Sequence, residues 1–289
     1  MPRQPERPPE SDTSGVLREV SRWPPPRPEV EVYSQPEAYD RFMGRWSRRL
    51  AAGFADFGSP RDAERLLDVG TGTGSLSGIL GEVVPRAQVV GIDPMVGYVA
   101  YARRHVPSSH VHLLAGDALA LPFRDGVFDA TLALLVLHGL PARKAVAEMC
   151  RVTRRGGWIA ACEWDFRAGM DLLRLLSDAV VHVEPDAELQ HARYTPLGAG
   201  GELRALWREC GLTDIEEAFI SIPLEFASFD DLWEPVLAGS TPRTAHIAGL
   251  PPAKRAAARE WLWQRLGQGG EDGPFTLQAR ARAVRGSVA

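Results

Sequence analysis

Leu66-Leu67-Asp68-Val69-Gly70-Thr71-Gly72-Thr73-Gly74 decides how the rest of the chain is read. Arg65 to Gly70 is a short apolar run broken by one acid, the pattern of a strand covered on both faces. Glycine then occupies every second position, so the backbone can take positive φ and approach a ligand closely. A short helix is expected from Ser75 to Val83, and its first turn offers free N–H groups. A dinucleotide fingerprint requires G-x-G-x-x-G, but counting from Gly70 and Gly72 puts Ser75 where the third glycine belongs. Asp68, two residues before the turn, would repel a pyrophosphate and suits the ammonium of an amino acid moiety. Such a glycine cluster also serves as a plain tight turn, so its meaning depends on what surrounds it.

Strand and helix patterns alternate on the C-terminal side. Gln88–Asp93 reads as a second strand, Met95–Arg104 as a helix, Val111–Gly116 as a third strand and Phe128–Leu137 as a fourth, the most apolar. Pro141 suits a first helical position, and Gly156-Gly157 is expected to stop that helix before a fifth strand, Trp158–Cys162. This alternation implies an α/β, doubly wound, mostly parallel sheet. Ile215–Phe226 reads as a sixth strand. From Phe275 to Ala283 apolar and polar residues alternate strictly, which marks an antiparallel last strand, the seventh. Two helical inserts, near 166–200 and 228–268, lie beyond strands five and six. Ligands bind outside the carboxyl ends of such strands, so the inserts are placed to cover the pocket.

On the N-terminal side, Tyr39, Phe42, Met43, Trp46 and Leu50 recur at helical spacing. Before them, residues 1–36 hold nine prolines and no apolar period, and are read as a Pro-rich flexible leader to a single domain, 37–289.

Composition narrows the function. The 289 residues are 45% hydrophobic with a net charge of −4, ordinary for a globular protein and unfavourable for general binding to nucleic acid or an anionic membrane. Three cysteines, Cys150, Cys162 and Cys210, form no CxxC pair, which argues against a disulfide scaffold or a structural zinc site and suits a reducing compartment. No run approaches the roughly 20 apolar residues of a membrane span. No secretory or transit signal is evident, so a cytoplasmic protein is expected.

Two more acids give the glycine turn its company. Asp93 closes strand two, nineteen residues after Gly74, where a carboxylate can accept both hydroxyls of a ribose. Asp117 follows strand three, where it can accept from the exocyclic amine of an adenine. Singly, either acid reads as a helix cap or turn residue. Three acids at three successive strand ends do not.

With these residues in place the sequence resembles the class I S-adenosylmethionine-dependent methyltransferases, a Rossmann-like fold. Within them it is similar to the small-molecule branch of ubiquinone- and menaquinone-pathway enzymes. The likeness covers about residues 33–165 and, more loosely, the last strands. It implies S-adenosylmethionine as cofactor and a small-molecule acceptor. It also implies a cofactor set of Asp68, Gly70, Thr71, Gly72 and Gly74 around the turn, Asp93, Pro94 and Met95 after strand two, Asp117 and Ala118 after strand three, and Leu134 in strand four. Arg151-Val152-Thr153-Arg154-Arg155-Gly156-Gly157 matches the family's Arg-x-Leu-x-Pro-Gly-Gly segment, with Thr153 for leucine and Arg155 for proline. By the same likeness Tyr39 and Arg45 reach the cofactor's methionine end, Arg45 through its carboxylate. The competing reading makes Tyr39 core and Arg45 a solvated charge.

A sulfonium methyl is already activated, so a base is needed only if the acceptor must lose a proton. Candidates by position are His138 after strand four, Glu163 and Asp165 after strand five, and His182, His191, Tyr194 and His246 in the inserts, with His138 the best placed. Trp164, Phe229 and Trp233 are candidates for the acceptor wall, although core packing is the stronger reading of each. Three other functions compete. One is a non-catalytic S-adenosylmethionine-binding regulator or complex subunit. A nicotinamide-dependent oxidoreductase is disfavoured by Ser75. Nucleic-acid methylation is disfavoured because Leu135-Val136-Leu137-His138 stands where an Asn-Pro-Pro-Tyr-like motif would. Oligomeric state is not legible.

Overall fold

The computed structural model describes residues 35–58, 62–106, 108–186, 197, 199–266 and 272–289. The leader up to residue 34, together with His191 and Tyr194, lies outside the described residues. The strands are β1 Arg65–Val69, β2 Gln88–Asp93, β3 Val111–Ala115, β4 Phe128–Leu134, β5 Thr153–Trp164, β6 Thr213–Phe226 and β7 Phe275–Ser287. The helices are α1 Pro36–Tyr39, α2 Arg45–Gly58, α3 Ser75–Val83, α4 Val96–His105, α5 Ala142–Val152, α6 Asp171–Val183, α7 Glu202–Glu209, α8 Phe229–Leu237, α9 Pro242–Gly249 and α10 Pro252–Leu266.

The seven strands form one sheet in the order β3-β2-β1-β4-β5-β7-β6. β1 pairs in parallel with β2 on one side and β4 on the other, and β7 runs antiparallel to both β5 and β6. The order reverses between β1 and β4, which opens a crevice at their carboxyl ends. Alternation along β1 sends Leu66 into one apolar layer and Leu67 and Val69 into the other. Asp68 therefore faces the same layer as Leu66, where α3 packs. That layer also receives the apolar stripe of α2 (Trp46, Leu50 and Phe54) and both inserts. The opposite layer holds α5 and α7, with Trp207 at its centre.

Three local expectations are corrected. The helix over the pocket is not continuous: a π-helical turn, Asp40–Gly44, separates α1 from α2. Strand four stops at Leu134 because Leu135 takes a φ of +60° and the chain coils into a 3-10 turn, Leu137–Gly139. The helix before strand five ends at Val152, not at the glycine pair. Thr153 is β-branched and turns extended; its hydroxyl donates to Met149 O at 2.8 Å and meets the Thr131 hydroxyl at 2.6 Å. Gly156 and Gly157 then lie inside β5, where a Cβ on Gly157 would come within 2.6 Å of the Asp129 carbonyl.

Among the described residues, α6 lies in the first insert and α8 to α10 in the second. α9 starts at a Thr241 capping box closed by Thr244, with Pro242 in its first turn. Among the described residues no helix is long and apolar enough to cross a membrane.

Candidate active site

A cavity of about 620 Å³ opens at the carboxyl ends of β1, β2 and β4, a size suited to one cofactor with a small partner. Its floor is the glycine turn. The N–H groups of Gly70 and Thr71 both donate to Ile92 O, at 2.7 and 3.0 Å, which fastens the turn to β2. Gly70, Gly72 and Gly74 have φ of +75°, +54° and +88°. A Cβ on Gly72 would meet nothing closer than 3.9 Å, so the missing side chain leaves open space for a ligand. Gly74 does not line the cavity. It caps α3 in the left-handed conformation, and a Cβ there would sit 2.8 Å from Val106.

The three acids converge on this cavity. Asp68 is buried; its Oδ2 accepts from Ser77 Oγ at 2.7 Å, while its Oδ1 has no hydrogen-bond partner. Burial pushes its pKa up to about 6, against the pull of the Ser77 and Thr71 hydroxyls. Asp93 accepts from Gly72 N–H at 3.0 Å and Met95 N–H at 2.8 Å, one on each oxygen. Burial raises it too, to about 6. Asp117 accepts the Leu119 N–H at 2.9 Å. Asp93 and Asp117 therefore accept local backbone N–H groups and Asp68 a side-chain hydroxyl, while all three also line the cavity. Tyr39, Thr71, Pro94, Met95, Ala118 and Leu134 join them in the lining.

Arg45 does not. Its guanidinium is turned to the second insert, where Nη1 donates to Asp231 Oδ1 at 2.8 Å and Nη2 to the Asp231 carbonyl at 3.1 Å. It also stacks over the Trp46 and Phe226 rings. The expectation that Arg45 faces the cavity is thus corrected: it straps α2 to α8. Arg45→Met should cost at most about 1 kcal/mol, as a partly exposed ion pair does. Affinity for S-adenosylhomocysteine should stay within about threefold, measured by calorimetry. A hundredfold loss would return Arg45 to the cofactor.

Of the base candidates, the structure brings His138 and His246 to the cavity. His138 Nδ1 lies 2.7 Å from Glu163 Oε2. Glu163 is fully buried, and its Oε1 accepts from the Leu137 and His138 N–H groups at 2.7 and 3.3 Å. Burial alone would lower the His138 pKa, but the charge and hydrogen bond of Glu163 outweigh it and hold the imidazole above its ordinary value. Asp165 is consumed by Arg280 and Arg282. His246 pairs with Glu184 at 3.0 Å. His182 packs against Trp261 and does not line the cavity. Trp164 does, whereas Phe229 and Trp233 are core beside Trp263.

Sequence reasoning missed Ser75, Tyr98, Phe166, Leu173, Thr241 and Arg243, all in the lining. The Thr241-Pro242 start signal is the available clue to α9 and to the residues in its first turn. In the sequence Ser75 stands out only as an absent glycine; its hydroxyl is buried at the cavity with no hydrogen-bond partner.

A methyltransferase-domain family profile matches residues 67–161, the segment from β1 to β5 that builds this floor. Over this segment the chain resembles the class I methyltransferases. A demethylmenaquinone methyltransferase of Thermus thermophilus is 40% identical over 123 residues, covering 42% of this chain and 54% of that protein. A demethylmenaquinone methyltransferase of Roseiflexus castenholzii is 29% identical over 223 residues, covering 69% of this chain and 92% of the relative. The chain spans about half the length of the first curated relatives it matches. The fold is shared with a phosphoethanolamine N-methyltransferase of Haemonchus contortus, solved with S-adenosylhomocysteine, at a TM-score of 0.53 and 16% identity, over 88% of this chain and 57% of that one. The cofactor of this class is S-adenosylmethionine. The residues present fit it: the orphaned Asp68 Oδ1 and Ser75 hydroxyl, and the space at Gly72, are what a bound ammonium-bearing nucleoside would satisfy.

Proposed function

We propose that the protein transfers the methyl group of S-adenosylmethionine to a small, largely apolar acceptor. The observation that carries this reading is the convergence of Asp68, Asp93 and Asp117 on one cavity floored by the glycine turn. In it, Asp93 accepts the ribose hydroxyls, using the lone pairs left after its two backbone bonds. Asp68 Oδ1 takes the ammonium. Asp117, with Ala118 and Met95, holds the adenine. Tyr39 and Leu134 close the walls. When bound, the sulfonium supplies a methyl carbon ready for in-line displacement. The chain supplies alignment and exclusion of water, the latter through Phe42, Met43 and Leu173 over the site. Trp164 and Phe166 give the acceptor side a flat apolar wall, in keeping with relatives named for quinone-type acceptors.

Calorimetric titration with S-adenosylhomocysteine tests the reading. One saturable site is expected; no heat at millimolar ligand would remove it. The titration should also depend on pH. Asp68 and Asp93 are acids whose folded-state pKa is raised, and the ionised form is the one that binds. Affinity is therefore full well above pH 6 and is lost as pH falls through about 6. Between pH 7 and pH 5 the loss is about tenfold for each carboxylate that must be ionised. A flat profile over that range would show that neither carboxylate meets the ligand.

A further inference from the structure

His138 and Glu163 make a constellation that cofactor binding does not require. The 3-10 turn after β4 aims the imidazole into the cavity, and Glu163, from β5, holds it from behind. Glu163 Oε1 takes the Leu137 and His138 N–H groups, which leaves Oε2 for Nδ1. A carboxylate that accepts from Nδ1–H fixes the tautomer, so Nε2 carries the lone pair. The ring is also held edge-on by Phe166, with centroids 5.4 Å apart. A base held by a buried acid, with its other nitrogen on the substrate side, is the geometry of proton removal.

Resting on the methyltransferase reading, we propose that His138 is the general base of the reaction, that Glu163 is its positioning residue, and that the acceptor is a phenolic or enolic hydroxyl methylated on oxygen. As the acceptor oxygen forms its bond to the methyl carbon, its proton passes to Nε2. The sulfur–methyl bond breaks with its electron pair left on sulfur, and the imidazolium formed is paired with Glu163. Acidity selects the acceptor. A phenol, with a pKa near 10, is within reach of an imidazole held above its ordinary value; an aliphatic alcohol is not, and a neutral amine needs no base. The aromatic wall of Trp164 and Phe166 beside His138 suits the same flat ring.

Glu163 is the carboxylate that contacts the ring. Of the other charged groups at the cavity, Asp68, Asp93 and Asp117 lie at the strand tips on the glycine-turn side, and Arg243 and His246 stand on α9. Glu163→Gln keeps the shape and a carbonyl acceptor for the backbone N–H groups, so it isolates the charge.

The test uses the full chain saturated with S-adenosylhomocysteine and 4-nitrophenol as the acceptor probe, whose ionised form is yellow. Wild type is expected to bind the probe as the phenolate at a pH where it is mostly neutral in water. His138→Asn should bind it neutral. Glu163→Gln should give about tenfold less phenolate at the same pH, because the imidazolium loses its partner. Nitrogen NMR of the wild type, with no probe added, is expected to show His138 protonated on Nδ1 and titrating above an ordinary histidine, and Glu163→Gln should move that titration down. The inference is overturned if the probe fails to bind, if it binds unchanged in His138→Asn, or if His138 carries its proton on Nε2. Binding of S-adenosylhomocysteine is recorded in the same samples. If it is absent, the methyltransferase reading fails; if it is present without probe ionisation, only the base assignment fails.

Discussion

Asp93→Ala is expected to weaken S-adenosylhomocysteine binding by about a hundredfold or more. Hydrogen bonds to a charged acceptor contribute about 1.5–3 kcal/mol each, and the reading gives Asp93 both ribose hydroxyls. The substitution also orphans the Gly72 and Met95 N–H groups, which Asp93 now accepts at 3.0 and 2.8 Å, and so loosens the glycine turn itself. Asp93→Asn separates the two effects. Its amide oxygen still accepts from one N–H, so the turn is better held while the charge is gone. Calorimetry on all three proteins, with thermal melting as a control for folding, reads the result. An affinity within threefold of wild type in Asp93→Ala would mean that the nucleoside sits elsewhere.

Gly70→Ala should destabilise the fold by about 2–5 kcal/mol. A residue with a Cβ held at positive φ costs about 1–2 kcal/mol, and Gly70 sits at +75°. Its new methyl would also overlap the Val136 side chain, which adds about 1–3 kcal/mol of overpacking. Val136 cannot simply withdraw, because it lies between Leu135, already at φ +60°, and the turn that carries His138. Gly139→Ala is the matched control, since a Cβ there meets nothing within 4 Å; its stability should change by under about 1 kcal/mol. Denaturant unfolding measures both. Equal midpoints would show that the turn is not under the constraint described.

Both substitutions fall in the part of the molecule that the sequence shows most openly. Strand tips are local features. Asp68, Asp93 and Asp117 each end a run whose apolar period is visible without any partner, and parallel pairing of β1, β2 and β3 brings the three ends together. The glycine turn is legible for the same reason. What the sequence hides depends on contacts between distant parts of the chain. Arg45 pairs with Asp231, 186 residues away, and nothing near Arg45 announces that partner. Glu163 is 25 residues from His138, and both stand among the base candidates without any sign that one holds the other. Arg243 reaches the cavity because α9 packs against α6 and α8 beside it, a tertiary choice that helical periodicity does not encode. The early end of α5 is a smaller case. Thr153 leaves the helix because β4 offers it a hydroxyl partner in Thr131, so tertiary pairing overrides the glycine stop signal three residues on.

In the proposed function one cavity, gripped by acids at neighbouring strand tips, holds a nucleoside joined to an amino acid. A crystal structure of the protein with S-adenosylhomocysteine tests it most directly. The ribose hydroxyls should lie about 2.7 Å from the Asp93 carboxylate, with the ammonium on Asp68 Oδ1 and the sulfur facing His138 across the acceptor space. Density for the ligand away from Asp68, Asp93 and Asp117, or its absence from a saturated crystal, would contradict it.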